Sequence, residues 1–162
     1  IPVGLPVSVG NFVSGRFMFT ENSKYTTKKP ENQADWNKLC GRKSGYFTQL
    51  NDGQMIAWRY YNDKFQVALY VHSGYGDGFN VGTGNAFVTN KIVEILPYMV
   101  YYFRLETIAD TVMLTINNLS MINPETETMS CTTRKPFKTG KLINPWFGGN
   151  EVHRTSIQLQ LW

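Results

Sequence analysis

The segment from Met55 to His72 constrains the fold most strongly, because two apolar, aromatic-rich runs flank an Asn62-Asp63 pair. Asn and Asp tolerate the backbone of a tight two-residue turn, so this pattern predicts a β-hairpin. In the second run the alternate positions on one side are all apolar, namely Phe65, Val67, Leu69 and Val71. A period of two predicts a strand with one face in the core and a wetter face opposite.

The rest of the chain is typical of many short strands. Its 162 residues include 10 Phe, 9 Tyr, 4 Trp and 14 Gly, a composition that favours strands joined by Gly- and Asn-containing turns. About ten strands and no convincing helix are predicted. We therefore expect an all-β fold, a two-sheet antiparallel β-sandwich of the jelly-roll or concanavalin-like kind.

The length fits one domain that can bury a core without disulfides or metals. Pro2 and Pro6 exclude a helix interior near the start, so residues 1–14 are predicted to be an extended arm or edge strand. Residues 15–162 are predicted to form the sandwich. The chain begins at Ile1 and not at Met, which we expect of a processed product or a fragment.

Several segments are predicted to be turns or loops from their Gly and Asn content. Gly41 to Gly45 is interpreted as a turn, and Asn117-Asn118 as the turn pair that follows a strand at Thr111 to Ile116. That strand and Met99 to Thr107 are predicted to form a second hairpin. Ser73 to Asn85 holds five glycines in thirteen residues, so it is predicted to have no regular structure. Its glycine spacing does not match a phosphate-binding loop, and its single carboxylate, Asp77, is a poor ligand set for Ca²⁺.

The net charge, the hydropathy and the cysteine content limit the classes of partner and cofactor that we expect. The net charge is +4 and the basic residues are scattered, so no nucleic-acid partner is expected. No apolar run approaches the roughly 20 residues of a membrane helix, so no membrane insertion is expected. Cys40 and Cys131 lack metal-ligand spacing and are predicted to be buried free thiols, with one long-range bridge left as the alternative. No metal or other cofactor is expected.

A segment near the C-terminus carries a family resemblance. The run Asn144-Pro145-Trp146-Phe147-Gly148-Gly149-Asn150-Glu151 resembles the P-Y-F-G-G-N-E segment that ends many concanavalin-like β-sandwich domains of Bacteroidetes bacteria and their phages. Residues 37–39 and 57–62 also resemble segments of these domains, so the resemblance covers roughly residues 36–161. The family segment continues A-P-H-D-I, whereas residues 152–157 here lack the Pro and the Asp. The resemblance implies a virion-surface or extracellular protein.

Catalytic motifs are not found in the sequence. A polysaccharide hydrolase needs two carboxylates facing each other across a cleft, and the E-x-D-x-x-E and Y-x-K-A-G-x-Y-x-Q strands of similar sandwich enzymes do not occur. Glu94 and Glu106 are single acids on separate predicted strands, and we expect each to be solvated or salt-bridged. His72 and His153 lie in no nucleophile or zinc motif. We expect a protein that is not an enzyme.

Glycan binding has support from residue types, because sugar rings are held by aromatic faces with nearby amide and guanidinium donors. The candidate glycan-binding residues are Trp58, Arg59, Tyr61, Tyr70, Tyr75, Asp77, Trp146 and Asn150. Trp58 and Trp146 are also candidates for the core, whereas Tyr75 lies in a loop where burial is not forced.

These observations lead to three hypotheses. The first is a non-catalytic virion or cell-surface attachment module of the fibre, decoration or capsid-surface type, forming a homo-oligomer and contacting other virion or surface proteins and a cell-surface glycan. The second is a carbohydrate-binding module of a secreted bacterial protein. The third is a polysaccharide-cleaving enzyme with an unrecognised site. We expect the first.

Overall fold

A computed structural model of the chain describes residues 7–9, 11–43, 52–81, 85–135, 141–143 and 159–161. Two short 3-10 turns lie at Glu21–Ser23 and Pro30–Ala34. The strands are β1 (Val7–Val9), β2 (Phe12–Phe19), β3 (Asn37–Lys43), β4 (Gln54–Tyr61), β5 (Lys64–His72), β6 (Gly74–Tyr75), β7 (Gly78–Asn80), β8 (Ala86–Thr89), β9 (Val93–Ile95), β10 (Tyr101–Ile108), β11 (Thr111–Asn118), β12 (Thr126–Thr133), β13 (Lys141–Ile143) and β14 (Leu159–Leu161). No helix in these ranges is long and apolar enough to span a membrane.

The strands form two antiparallel sheets that pack face to face. Sheet A has the order β1-β2-β10-β11-β12-β6, with β14 also paired to β2. Sheet B has the order β13-β3-β4-β5-β8-β7, with β9 also paired to β5. The fold is therefore an all-β, two-sheet antiparallel sandwich, as the sequence predicts.

The predicted central hairpin is confirmed. Strands β4 and β5 pair from Gln54 opposite Val71 to Tyr61 opposite Lys64, and both lie inside sheet B. The turn residues Asn62 and Asp63 have φ values of 51° and 59°, the left-handed backbone that matches the twist of a hairpin. The four apolar residues of the predicted inner face, Phe65, Val67, Leu69 and Val71, are at most 2% exposed.

Aromatic rings join the two sheets. Phe19 of sheet A stacks on Phe65 of sheet B with ring centroids 4.8 Å apart, and it lies 4.9 Å from the Trp58 ring of the same sheet B hairpin. Within sheet A, Phe17 stacks on its cross-strand partner Tyr101 at 5.5 Å. Such ring pairs stabilise a fold by about 0.5–1.5 kcal/mol each beyond their buried area. They make one continuous core between the sheets.

The predicted wetter second face of β5 is confirmed only near the turn, where Gln66 is half-buried, and is wrong for the rest of the strand. On this outer face of sheet B, Ala68 is fully buried, Tyr70 is 8% exposed and His72 is 2% exposed. They belong to or adjoin a second buried cluster that includes Trp36, Met55, Ala57, Ala86, Val88 and Ile143. Alternation in sequence shows that two faces differ in composition, but it does not show whether the second face is covered.

Two of the predicted turns or loops instead contain strand residues, because glycine permits close approach of a neighbouring strand. A Cβ on Gly41 would lie 2.2 Å from the Gln54 carbonyl oxygen, so β3 continues through Gly41 to Lys43. A Cβ on Gly78 would lie 2.1 Å from the Val88 oxygen, and the Gly-rich segment contains β6 and β7. Asn117 and Asn118 are the last two residues of β11, so the strand includes the predicted turn pair and the turn begins at Leu119. The predicted second hairpin is confirmed, since β10 and β11 pair along their whole length.

The first fourteen residues do not separate from the sandwich where the structure describes them. Residues Val7–Val9 form β1 at the edge of sheet A and pair with Phe12 to Ser14 of β2. Phe12–Ser14 belong to β2, which also pairs with β10 and β14. Residues 1–6 lie outside the described ranges.

Both cysteines are buried free thiols, as predicted. Cys40 and Cys131 lie in the core between the sheets. Burial raises the pKa of each thiol to about 12, because desolvation disfavours the thiolate.

A substitution in the turn between β10 and β11 tests whether backbone strain lowers the stability of the fold. Ala109 is exposed and has a φ of 54°, a conformation that costs an L residue with a Cβ about 1–2 kcal/mol. Ala109→Gly is expected to raise the free energy of unfolding by about 0.5–1 kcal/mol, since the relief exceeds the added entropy of the unfolded chain. Chemical denaturation measures this change. Ala34→Gly is the control, because Ala34 lies in a 3-10 turn and does not have a positive φ. This substitution is expected to lower the free energy of unfolding. Equal effects of the two substitutions would contradict the explanation.

Candidate functional site

An arginine packed on two aromatic rings marks the outer face of sheet B near the turn of the central hairpin. The Cζ atom of Arg59 lies 4.2 Å from the ring centroid of Trp36 and 4.7 Å from that of Tyr61. A guanidinium over a ring face gains electrostatic attraction as well as contact area. Trp36, Arg59 and Tyr61 form what we name the Arg59 stack.

Two hydrogen bonds fix the orientation of this guanidinium. Arg59 Nε donates to Gln66 Oε1 at 2.7 Å, and Arg59 Nη1 donates to the Ala34 carbonyl oxygen at 2.9 Å. Burial lowers the pKa of the Arg59 guanidinium from its ordinary value, but an arginine stays charged at neutral pH. The result is a cation held in one place on a rigid sheet.

Strand register explains why polar side chains surround the stack. Arg59 of β4 is opposite Gln66 of β5, and Gln66 is opposite Glu94 of β9, so these three side chains form a row on one face. In the next row Tyr61 is opposite Lys64. Lys64 Nζ lies 2.7 Å from Glu94 Oε1 and links the two rows. We name the six residues Trp36, Arg59, Tyr61, Lys64, Gln66 and Glu94 the Arg59 patch.

The patch combines an apolar surface with exposed polar groups. Trp36 is buried, whereas Arg59, Tyr61 and Gln66 are half-buried. Lys64 and Glu94 are exposed, and their ion pair lies in solvent. A ring edge, a fixed guanidinium, an ammonium and a carboxylate next to one another can contact the C–H groups and hydroxyls of a polyol.

The structure brings together only some of the predicted glycan-binding residues. Arg59 and Tyr61 are in contact, and Tyr70 lies on the same face but is buried beneath the Lys38 ammonium, which is 4.0 Å from its ring. Trp58 points into the core and is 3% exposed. It is therefore not accessible to a ligand.

The other predicted residues lie elsewhere. Tyr75 and Asp77 follow the far end of β5, away from the hairpin turn, and Tyr75 is 43% exposed with Arg134 over its ring at 4.6 Å. Asp77 Oδ1 accepts a hydrogen bond from Asn90 Nδ2 at 2.6 Å. Trp146 and Asn150 lie outside the described residues.

Four patch residues are not among the predicted ones. Gln66 and Lys64 could have been found, because a two-residue turn at Asn62-Asp63 sets the register that puts them opposite Arg59 and Tyr61. Trp36 and Glu94 come from distant segments. No local pattern in the sequence places them next to β4 and β5.

The two acids considered for catalysis do not face each other. Glu94 lies on the outer face of sheet B and pairs with Lys64, and Glu106 lies on the outer face of sheet A with Arg104 Nε 3.0 Å from its carboxylate. Both are salt-bridged, as predicted. His72 is buried and His153 lies outside the described residues. In the described part of the chain, no group of three His, Cys, Asp or Glu side chains could hold a metal ion.

Comparisons with known proteins give no further constraint. No family model, no curated protein and no solved structure matches this chain. The resemblance to concanavalin-like domains stays a prediction from the sequence motifs.

A buried lysine lies on the same face, next to the stack. Lys38 Nζ donates a hydrogen bond to the Trp36 carbonyl oxygen at 2.9 Å and contacts the Tyr70 ring. Burial lowers the Lys38 pKa from 10.5 to about 8, opposed by the nearby Asp35. The folded protein therefore releases the Lys38 proton at a lower pH than the unfolded chain does.

This shift predicts a pH-dependent contribution to stability. Between about pH 8 and pH 10.5 the unfolded chain binds more protons at Lys38 than the folded protein, so this group raises the free energy of unfolding as the pH rises. Below pH 8 the contribution is constant. Lys38→Met is expected to have a higher free energy of unfolding than wild type at pH 7. This difference is expected to shrink towards pH 10. Urea unfolding at each pH measures the difference, and Lys135→Met is the control for loss of one exposed charge. A difference that does not vary with pH would contradict the shift.

Proposed function

We propose that this domain is a non-catalytic attachment module of a virion or cell surface, and that the Arg59 patch binds a glycan. The observation that carries the proposal is the fixed Arg59 guanidinium, packed on Trp36 and Tyr61 beside the exposed Lys64–Glu94 pair. The resemblance of the segment at residues 144–151 to virion and surface domains supports the proposed location on a virion or cell surface.

The chemistry of the patch suits a sugar. The half-exposed Tyr61 ring offers an apolar surface to the C–H face of a pyranose, and Lys64 and Glu94 offer a donor and an acceptor for its hydroxyls. Arg59 is already held by two hydrogen bonds, so binding does not have to order this side chain. Pre-organisation of this kind lowers the entropic cost of association.

The carboxylate content of the patch supports binding over hydrolysis. Glu94 is the single carboxylate among the six patch residues, and Glu106 points away from it on the other sheet. Cleavage of a glycosidic bond by the usual acid–base route needs two carboxyl groups flanking the bond. A homo-oligomer that displays several copies of the patch would raise the avidity for a repeating surface polysaccharide.

Substitutions in the patch test the proposal. A glycan array identifies the oligosaccharide that binds best, and titration with it measures affinity. Tyr61→Ala and Arg59→Lys are each expected to weaken binding about tenfold, because one removes the ring face and the other removes the planar donor. The measurement is isothermal titration calorimetry or ligand-observed NMR.

The outer face of sheet A provides matched controls. Tyr102 is half-buried there, and Arg104 packs over the Phe12 ring at 3.9 Å. Tyr102→Ala and Arg104→Lys are expected to leave glycan affinity unchanged. The proposal fails if nothing on a broad array binds, or if the control variants lose as much affinity as the patch variants. Release of reducing ends from a polysaccharide, abolished by Glu94→Gln or Glu106→Gln, would contradict the non-catalytic role.

A further inference from the structure

A groove of about 380 Å³ runs along one side of the sandwich, between β9 of sheet B and the β11–β12 region of sheet A. Val93 and Leu96 contribute apolar surface from one sheet, and Ile116 and Met121 contribute it from the other side. The volume is within the range of sites that hold a small molecule or a few side chains of a peptide.

Both strands that border the groove have open edges among the described strands. Strand β12 pairs with β11 from Thr126 to Thr132, but on its other side only Thr132 and Thr133 pair with β6. Strand β9 pairs with β5 on one side. An open strand edge presents backbone N–H and C=O groups that an extended peptide can pair with.

Apolar side chains are exposed at the mouth of the groove. Leu96 is 54% exposed and Met121 is 50% exposed, and Ile122 next to Met121 is 98% exposed. The loop that carries Met121 and Ile122 is anchored at its start, where Ser120 Oγ accepts a hydrogen bond from the Val100 backbone N–H at 2.9 Å. Clustered exposed apolar residues of this kind mark interaction surfaces.

The charge of the groove is opposite in sign to that of the chain. Three glutamates, Glu94, Glu125 and Glu127, line it together with one lysine, Lys91, whereas the whole chain carries a net charge of +4. Two of these glutamates already pair with a lysine: Lys91 Nζ lies 2.6 Å from Glu127 Oε2, and Lys64 Nζ lies 2.7 Å from Glu94 Oε1. Both pairs are about half exposed, and such surface pairs are easily replaced. Charge complementarity therefore favours a basic ligand over an acidic one.

We propose that this groove binds an extended segment of a partner protein that combines apolar residues with Lys or Arg. The segment adds as a strand to the edge of β12 along residues 126–131, which no other described strand occupies. An apolar side chain lies between Leu96 and Met121, and a basic side chain pairs with Glu125 or Glu127. The groove shares Glu94 with the Arg59 patch, but the segment pairs with β12 and with Glu125 or Glu127, which are not patch residues, so failure of either proposal leaves the other in place.

A synthetic peptide tests the proposal directly. The probe is a blocked hexapeptide that alternates lysine with leucine or valine, titrated into the isotope-labelled domain and followed by NMR. We expect saturable shifts at Leu96 and Met121 and slower hydrogen exchange of amides within residues 126–131. The same peptide with glutamate in place of lysine is expected to bind at least about tenfold more weakly, and an N-methylated version to lose the exchange protection.

Charge-reversal variants locate the site. Glu125→Lys and Glu127→Lys are expected to weaken binding of the lysine peptide about tenfold each. Glu31→Lys is the matched control, since Glu31 is an exposed acid on the 3-10 turn at Pro30–Ala34, and it is expected to change the affinity less than about twofold. Circular dichroism checks that each variant is folded.

Four outcomes of the peptide experiments would overturn the proposal. They are the absence of saturable binding, equal binding of the glutamate peptide, equal weakening by Glu31→Lys, and binding without protection of residues 126–131. Dimerisation of the free domain that Glu127→Lys abolishes would also overturn it, because the occupant of the edge would then be a second copy of the chain.

Discussion

The packing of Phe19 of sheet A against Trp58 and Phe65 of sheet B is the contact on which the rest of the structure depends. Removing a buried phenylalanine ring typically costs about 3–5 kcal/mol, a large part of the stability of a domain. Because Trp58 faces inward, its neighbour Arg59 has to face outward, and Tyr61 with it. A register slip of one residue would reverse both faces, so core packing decides where the candidate site lies.

Much of this arrangement could be predicted from local sequence. The Asn62-Asp63 turn, the apolar alternation of β5 and the register of the hairpin all follow from a short segment, and together they place Arg59 opposite Gln66. Coverage of the outer face of sheet B could not be predicted, since it depends on distant residues such as Trp36 and Ile143. The close approach of β4 to Gly41 could not be predicted either, because a glycine in a turn and a glycine packed under a neighbouring strand cannot be distinguished from sequence.

The two proposed surfaces show how a sandwich separates stability from recognition. The interior between the sheets is filled by residues of one period-two set. On sheet B the other set packs into the second buried cluster along most of β5 and forms the Arg59 patch near the hairpin turn. Glu94 belongs to the Arg59 patch and also lines the groove, since β9 is a short edge strand between the two surfaces. The patch offers fixed polar groups on a rigid face, whereas the groove offers apolar contacts beside an edge of β12 that is open among the described strands, which is why we propose different classes of ligand for the two.

A double-mutant cycle tests the central claim, that Phe19 and Phe65 hold the sheets together and thereby direct Arg59 and Tyr61 to the outer face. The free energy of unfolding is measured for Phe19→Leu, Phe65→Leu and the double variant. A coupling of about 1 kcal/mol is predicted for this stacked pair, and none for the corresponding cycle of Phe19→Leu with Tyr61→Leu. Additive effects of Phe19→Leu and Phe65→Leu, or an equal coupling to Tyr61, would contradict the account.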